Sequence, residues 1–178
     1  MTPALADLFA ELDRHTERVP LEHLTRALGK LALVLDDARE FLGFGRQTYQ
    51  RNLVHTGPAY HALILCWRAA QRSPIHDHRG SSCAVRVIHG VATETVFETT
   101  REGLVYPTSS RQLPEGTVCG SQDSDVHQMS NLEPPGCNLV TLHIYSPPLF
   151  VMGKYSLTEP MVSEFADPVV EFALGGGI

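Results

Sequence analysis

Several features that would assign a chain to a class at once are missing from this sequence. The 178 residues include four cysteines, far apart and without a Cys-x-x-Cys pair, which argues against a disulfide framework and for a reducing, cytoplasmic setting. No apolar run approaches membrane-spanning length, and the first residues lack the charged and apolar segments of a signal peptide. The net charge of −6, with no cluster of Lys and Arg among aromatics, gives no support for nucleic acid or an anionic membrane as a partner.

What remains is the composition of an ordinary globular protein. The chain is 43% hydrophobic and 19% charged, which is typical of a folded domain. Its length fits one domain that buries roughly 70% of the surface of the unfolded chain. We therefore expect a single domain over residues 1–178, and a monomer.

The first 45 residues predict a helical cap. Thr2-Pro3 offers an N-cap followed by proline at the first helical position, and apolar residues then recur at helical spacing over residues 5–12. A second stripe of leucines begins at Leu21, and its helix is expected to run to Phe41. We predict that these helices pack on the body of the protein and carry no chemistry.

From residue 46 to about residue 160 the pattern changes to short strands. They are separated by clusters of Gly, Pro, Asn and Ser, which indicate turns rather than linkers. Many short strands at close spacing are typical of a jelly-roll-like sandwich or β-barrel. We predict a mainly β fold, with a β-barrel over residues 46–160, the helical cap over 1–45 and a C-terminal tail over 161–178. The predicted strands are Tyr49–Val54, Tyr60–Trp67, Ser82–His89, Thr93–Thr99, Gly116–Cys119 and Asn138–Tyr145.

Two histidines, His76 and His78, stand one residue apart just after a proline. In an extended segment the side chains at i and i+2 point to the same face, so both imidazoles reach one point while Asp77 turns the other way. Neutral imidazole is the commonest side-chain ligand for metals such as Zn, Fe, Cu and Ni. The pair therefore predicts two thirds of a three-ligand metal site.

The surroundings of this pair resemble the two motifs of the cupin superfamily. His76, His78 and Gly90 fit the spacing of the first motif, and His127 and Asn131 fit the second. The resemblance implies a cupin fold in which His127 is the third metal ligand. Small barrels of this kind can hold a ligand inside.

Three departures from the cupin motifs affect the chemistry. Cys83 replaces the motif's glutamate, which is usually a fourth ligand; Ala70 replaces the first glycine; and the gap between Gly116 and His127 is longer. Three histidines add no negative charge, so a ferrous ion would keep its full double positive charge, which suits a thiolate together with O2. Three histidines also fit a hydrolytic zinc site, and the ligand set alone does not distinguish the two.

A second group of polar side chains lies near the end of the predicted sheet. Thr141, His143 and Tyr145 alternate with apolar residues, so they share one face of a strand. Polar residues directed inward need partners or a function. We predict that Thr141 orients His143 and that His143 holds the Tyr145 hydroxyl. His143 is also an alternative third metal ligand, but the His-x3-Asn context favours His127.

Taken together, these segments look like the cysteine dioxygenase family over about residues 45–150. The matching segments are, in order, Tyr-x-Arg-Asn-Leu-Val, Leu-Cys-Trp, Ile-His-Asp-His-x4-Cys, Thr-Glu-Thr-x-Phe and Leu-His-Ile-Tyr-Ser-Pro-Pro. The resemblance implies that iron(II) is held by His76, His78 and His127. It also implies that Arg51, whose planar fork matches a carboxylate, binds the substrate carboxylate with Tyr49 beside it.

The resemblance extends to the polar face and to a thiol. The family's Ser-His-Tyr relay falls on Thr141, His143 and Tyr145, with Thr in place of the usual Ser. In animal members a cysteine forms a thioether with the relay tyrosine; its match here is Cys83, and many bacterial members lack it. The resemblance also implies a cis peptide at Ser146–Pro147.

The position of Cys83 poses a question of geometry. It lies at odd parity from His78, so an unbroken strand would turn it away from the face of the histidine pair. The Gly80-Ser-Ser segment offers a bulge or bend that re-aims it. The alternative is a small buried cysteine without a role.

We therefore predict a cytoplasmic, iron(II)-dependent thiol dioxygenase that adds both atoms of O2 to the sulfur of L-cysteine, giving cysteine sulfinate. Tyr145, held by His143, would hydrogen-bond the substrate. Relatives that act on 3-mercaptopropionate typically lack the matching Arg and Cys, so Arg51 and Cys83 favour cysteine. A 3-mercaptopropionate dioxygenase, a non-catalytic metal- or ligand-binding cupin and a zinc hydrolase stay as alternatives. We predict no ligand role for His15, His23, His55, His61 and His89, and a core position for Cys66.

Overall fold

The computed structural model of the chain describes residues 1–166 and 168–171. Two α-helices lie near the N-terminus, α1 (Pro3–Leu12) and α2 (Leu21–Lys30), and a 3₁₀ helix follows over Leu35–Phe41. The strands within the described residues are β1 (Gln50–Thr56), β2 (His61–Trp67), β3 (Ile75–His76), β4 (Ser82–His89), β5 (Val91–Thr99), β6 (Val105–Pro114), β7 (Val118–Gln122), β8 (Val126–Ser130), β9 (Leu139–Ser146), β10 (Met152–Tyr155), β11 (Ser163–Phe165) and β12 (Val169–Glu171).

The strands form two six-stranded sheets. The first, sheet A, has the order β12-β1-β2-β9-β4-β7, and the second, sheet B, has the order β11-β10-β3-β8-β5-β6. Paired strands run antiparallel except β1 with β12, which are parallel. The mainly β prediction is confirmed, but the two sheets do not close into the predicted barrel. No described strand at the edge of one sheet pairs with the other sheet, so the two remain separate layers.

The core lies in two layers on either side of sheet A. Strand β9 shows why, because every one of its residues is buried. Leu142 and Ile144 pack on one side with the helical cap, in a cluster that includes Leu5 of α1 and Leu24 of α2. Tyr145 faces the other side, where it packs with residues of sheet B such as Met129. The predicted alternation along this strand is confirmed, and one of its two faces looks into the space between the sheets.

The second predicted helix is shorter than the leucine stripe indicated. Helix α2 ends at Lys30, and residues 31–34 are not helical. Leu31 and Leu33 are buried there whereas their neighbours are exposed, which is the alternation of an extended segment. The 3₁₀ helix then begins where the Asp37 carboxylate accepts a hydrogen bond from the Val34 amide at 3.0 Å. Leucines at helical spacing therefore continued past the true end of the helix.

The six predicted strands are all present, Ser82–His89 with the predicted bounds and the other five with shifted ends, but much of sheet B was not predicted. Strand β6 is exposed along most of its length and pairs only with β5, so its sequence has no apolar alternation. The predicted tail contains β11 and β12, and residues 172–178 lie outside the described part. In the described part of the chain, no helix is both long enough and apolar enough to cross a membrane.

Candidate metal centre

Three buried histidines, His76, His78 and His127, converge on one point at the inner face of sheet B. His76 on β3 pairs directly with His127 on β8, and His78 follows two residues after His76. One ligand nitrogen from each ring lies within 4.8 Å of the other two. The structure thus brings together the three histidines that the sequence proposed as a ligand set, and no other such group of His, Cys, Asp and Glu occurs among the described residues.

Asp77, the residue between the two histidines, anchors this segment to strand β10. The Asp77 carboxylate accepts hydrogen bonds from the Gly153 amide at 2.8 Å and from the Tyr155 hydroxyl at 2.8 Å, both on β10. A side chain on residue 153 would collide with this carboxylate, since a Cβ built there lies 2.6 Å from Asp77 Oδ2. As expected, Asp77 points away from the histidine pair, and its contacts fix the backbone between the two ligands.

The histidine nitrogens fit a metal ion. The Nδ1–H group of His76 donates to the Pro74 carbonyl at 3.0 Å, and that of His127 donates to Glu94 Oε1 at 3.0 Å, which leaves both Nε2 lone pairs available. Neither ring nitrogen of His78 makes a hydrogen bond of normal geometry, although both are buried. A buried polar atom without a partner is costly, and a metal ion would supply one.

Burial also keeps the ligands in the form that binds metals. Desolvation, followed by the nearby His127, lowers the pKa of His76 to about 3. The same two causes, with His76 as a third, hold the pKa of His78 well below its ordinary value. Both rings are therefore neutral near pH 7, as metal coordination requires.

The opposite wall of the cavity belongs to sheet A. Arg51 on β1 is only 2% exposed, and its guanidinium carbon lies 5.5 Å from the centre of the Tyr145 ring. Tyr49 stacks on Trp67 with ring centres 4.1 Å apart. These four side chains and the metal-binding face enclose a narrow cavity, lined by Tyr49, Arg51, Leu65, Trp67, Ser73, His76, Cys83, His127, Met129, His143, Tyr145 and Met152.

The polar face of β9 forms a chain of hydrogen bonds with a defined direction. The Trp67 indole, which can only donate, donates to Thr141 Oγ1 at 3.0 Å, so the buried Thr141 hydroxyl has its own hydrogen to give to His143 Nε2 at 2.9 Å. Burial and the nearby Arg51 hold the pKa of His143 well below its ordinary value, so the ring is neutral. Its Nδ1–H group then donates to the Tyr145 hydroxyl at 3.1 Å. The hydroxyl hydrogen of Tyr145 is therefore directed away from His143.

Cys83 lies beside the relay tyrosine. The two residues are directly opposite on β4 and β9, and their side chains are hydrogen-bonded. Burial raises the pKa of the Cys83 thiol, which is therefore protonated at neutral pH. The chain leaves sheet B after β3, and a turn with positive φ at Arg79 (44°) and Gly80 (88°) carries it into sheet A. The change of sheet, rather than a bulge within one strand, aims this thiol into the cavity.

One buried acid at the site was not predicted. Glu94 on β5 is 3% exposed, accepts a hydrogen bond from His127 and forms an ion pair with Arg111 at 2.6 Å. Burial alone would raise its pKa, but the contacts with His127 and Arg111 outweigh burial and lower it. The signal was present in the Thr-Glu-Thr-x-Phe segment, where a charged residue interrupts a run that a strand would bury.

The remaining predicted residues lie as follows. The Ser146–Pro147 peptide is cis, as the family resemblance implied. Asn131 donates to the carbonyls of Trp67 and Cys137 and so holds backbone rather than lining the cavity. Outside the cavity, a groove of about 800 Å³ shares Tyr49 and Arg51 with it. The histidines without a predicted role, and Cys66, lie outside the cavity lining; these are His15, His23, His55, His61, His89 and Cys66.

The chain is similar in sequence to known proteins. A family model described as cysteine dioxygenase type I matches residues 31–158, more than half of the chain. Cysteine dioxygenase type 1 of Danio rerio is 34% identical over 120 residues, covering 63% of this chain and 58% of that protein. The Homo sapiens protein of the same name is 35% identical over 112 residues, covering 59% and 54%. The match therefore spans little more than half the length of these curated relatives.

Two solved structures support the cupin-type fold. A Thermus thermophilus protein aligns with a TM-score of 0.53 and 14% identity, covering 63% of this chain and 95% of that chain. A Klebsiella pneumoniae protein with a double-stranded β-helix domain aligns with a TM-score of 0.52 and 15% identity, covering 62% and 81%. At these identities the likeness concerns the fold alone.

Proposed function

The chain belongs to the cysteine dioxygenase type I family, and from this premise we propose that it adds both atoms of O2 to the sulfur of L-cysteine to give cysteine sulfinate. The observation that carries the proposal is a three-histidine site facing a buried arginine across one narrow cavity. A metal site alone would fit many reactions. A guanidinium opposite the metal defines a substrate that has both a soft ligand and a carboxylate.

His76, His78 and His127 would hold iron(II) through three neutral nitrogens. When bound, a ferrous ion accepts a thiolate and an amine and can activate O2. Because the ligands add no negative charge, the thiolate would be drawn to the site by the full charge of the ion. The absence of a ligand glutamate, whose place in the motif is taken by Cys83, thus supports a thiol rather than a neutral substrate.

Arg51 would bind the carboxylate of cysteine. A guanidinium that is almost fully buried gains more from an anion than one in water, and its fork can form two parallel hydrogen bonds. Tyr49 lies beside it and is held flat against Trp67 by ring stacking. This pair would fix the carboxylate end and leave the thiol and amine to face the histidines.

Tyr145 would act on the sulfur side of the substrate. Its hydroxyl accepts from His143, so the hydroxyl hydrogen can be donated to an oxygen or sulfur of the substrate as charge develops there. Thr141 and Trp67 would keep His143 in the tautomer that donates to Tyr145. A non-catalytic binding module has no need for a buried chain of donors with one direction, and this argues for an enzyme.

We also propose a thioether between Cys83 and Tyr145. The two side chains are opposite one another on paired strands and already in contact. The bond would join the Cys83 sulfur to a ring carbon of Tyr145, and the S–H hydrogen and one ring hydrogen, with two electrons, would pass to O2 and give H2O2. Intact mass would fall by two hydrogen atoms after turnover in the wild type, and would not fall in Cys83→Ser.

A product assay across a small panel of thiols tests the function. Iron-loaded protein is supplied with O2 and with L-cysteine, 3-mercaptopropionate or cysteamine, and sulfinate is measured against O2 consumed. We expect stoichiometric sulfinate with cysteine and little with cysteamine, which lacks the carboxylate. Turnover of 3-mercaptopropionate but not cysteine would establish the alternative thiol dioxygenase, and no sulfinate from any thiol would refute the proposal. Zinc in protein purified without added metal, together with no sulfinate, would favour the hydrolase.

A further inference from the structure

We infer that Glu94 is a positioning residue for the metal site, one that fixes the tautomer of His127 and places a negative charge directly behind it. The inference rests on the proposed metal site but not on the reaction carried out there. Glu94 lies on β5, and its carboxylate does not reach the cavity between the sheets as a ligand. Its effect on a metal would pass through the imidazole of His127.

The contact between the two residues is direct and buried. His127 Nδ1 and Glu94 Oε1 are 3.0 Å apart, and both side chains are almost fully buried, with exposed fractions of 4% and 3%. An ionised carboxylate can only accept, so His127 must carry its proton on Nδ1 and direct Nε2 toward His76 and His78. A carboxylate behind a ligand histidine also raises the basicity of that ligand.

The three ligands are therefore not equivalent. His76 is backed by the carbonyl of Pro74, His78 has no hydrogen-bond partner of normal geometry, and His127 is backed by a full negative charge. The ligand set has no carboxylate of its own, yet one lies a single hydrogen bond away. No ligand carries a negative charge, but a carboxylate that hydrogen-bonds a ligand can still tune the basicity of that ligand.

Arg111 stabilises this buried charge and connects it to the surface. Its Nε and one terminal nitrogen both donate to Glu94 Oε2, at 2.8 and 2.6 Å, so each carboxylate oxygen serves a different partner. Arg111 is 59% exposed and lines an outer cleft of about 410 Å³ together with Glu94 and His127. Without such a partner, a buried carboxylate would be strongly destabilising.

Metal affinity measured without turnover tests the inference. Apo-protein is titrated anaerobically with Co²⁺ or Fe²⁺ alone, in competition with a chelator. We expect Glu94→Gln, which keeps an acceptor but loses the charge, to weaken metal binding by about 10- to 100-fold. Glu98→Gln is the matched control: the same substitution on the same strand, at an exposed carboxylate bonded to the Tyr106 hydroxyl, should leave affinity unchanged.

A second variant separates the histidine contact from the ion pair. Arg111→Lys keeps a cation beside Glu94 as well as the bond between Glu94 and His127, so its loss of affinity should be smaller than that of Glu94→Gln. An equal or larger loss would overturn the inference, because the ion pair and not the histidine contact would then set the affinity. Wild-type affinity in Glu94→Gln would overturn it as well.

A third test uses the wild-type protein, so it does not depend on whether a variant folds. Nitrogen-15 NMR of the apo-protein should show a proton on His127 Nδ1, whether or not Nε2 also carries one, and an Nδ1 without a proton would overturn the inference. These readouts do not depend on any product. Failure to form sulfinate with normal metal affinities would therefore count against the proposed function, whereas unchanged affinity in Glu94→Gln with normal turnover would count against the role of Glu94.

Discussion

The two walls of the cavity differ in the chemistry that they contribute. Sheet B supplies His76, His127 and, behind them, Glu94, so it carries the metal-binding groups. Sheet A supplies a cation at Arg51 and the hydroxyl of Tyr145, so it carries groups that recognise an anion and donate hydrogen bonds. The proposed metal site and the proposed substrate-binding groups therefore lie on separate sheets, and we expect that variants on one sheet leave the other in place.

One short segment joins the proposed metal ligands to the facing wall. After His76 leaves sheet B, the turn through Arg79 and Gly80 carries the chain to Cys83 on sheet A. A hydrogen bond from the Ser81 amide to the His78 carbonyl, at 2.9 Å, closes this turn. His78 and the cavity-facing thiol of Cys83 are therefore separated by the crossing between the sheets, and we expect that the variants below affect one wall or the other.

The largest effect is expected at the metal wall, from His127→Ala. Removing one of three ligands should lower metal affinity by at least about 100-fold, which is more than the loss of a residue that only hydrogen-bonds a ligand. Sulfinate formation should fall below detection. Metal content per chain after dialysis is the measurement. Full metal content in this variant would show that another group, such as His143, is the third ligand.

On the facing wall, Arg51→Met should impair turnover of cysteine without impairing metal binding. Metal content stays normal, while kcat/KM for cysteine falls by roughly 100-fold or more, because a buried charged hydrogen bond to the carboxylate is lost. Cysteamine, which has no carboxylate, should lose far less activity. Equal losses for both thiols would mean that Arg51 supports the cavity without binding the carboxylate.

Sequence reasoning was most successful where residues close in the chain share a periodicity. The i, i+2 spacing of His76 and His78, and the alternation that includes His143, follow from strand geometry alone. The Thr-Glu-Thr-x-Phe segment indicates that Glu94 is a charge within a buried strand, but its partners are 33 and 17 residues away, and no local pattern identifies them. The family resemblance supplied Arg51, whose role no spacing in this sequence could indicate.

The architecture was predictable only where local periodicity in the sequence reveals a buried strand. The central strands β2 and β9 of sheet A are buried along almost their whole length, and β2 gives a clear apolar run. Sheet B includes the exposed β6 and the two-residue β3, whose sequences have no such signal. Whether two sheets close into a barrel depends on edge pairing between distant strands, which the sequence pattern does not encode.

Thr141→Val tests whether the hydrogen-bond chain on sheet A has the inferred direction. The change removes the acceptor of Trp67 and the donor to His143, so we expect kcat to fall by about 10-fold while metal content stays normal. Thr141→Ser retains the hydroxyl and should restore the rate. A fall in Thr141→Ser equal to that in Thr141→Val would indicate a packing effect of the methyl group instead.

Asp77→Asn should lower the stability of the fold more than it lowers metal affinity. An amide can accept at one oxygen only, so one of the bonds from the Gly153 amide and the Tyr155 hydroxyl loses its acceptor. We expect the free energy of unfolding to fall by about 1–3 kcal/mol, with only a modest loss of metal affinity. Denaturant titration of the apo-protein measures the first, and Tyr155→Phe, which leaves the Gly153 bond, should cost less.

The smallest effect on kcat/KM is expected from replacing an arginine outside both walls of the cavity. Arg46 and Arg72 line the outer groove, which leads to Arg51, and both are exposed. Charges there act at long range and are screened by salt, so Arg72→Gln should lower kcat/KM only at low ionic strength and by no more than about 3-fold. The loss should be larger for anionic 3-mercaptopropionate than for zwitterionic cysteine, because only the former carries a net charge into the groove. If both thiols lose rate equally at high salt, Arg72 contributes through contact, and the groove is then part of the substrate-binding wall.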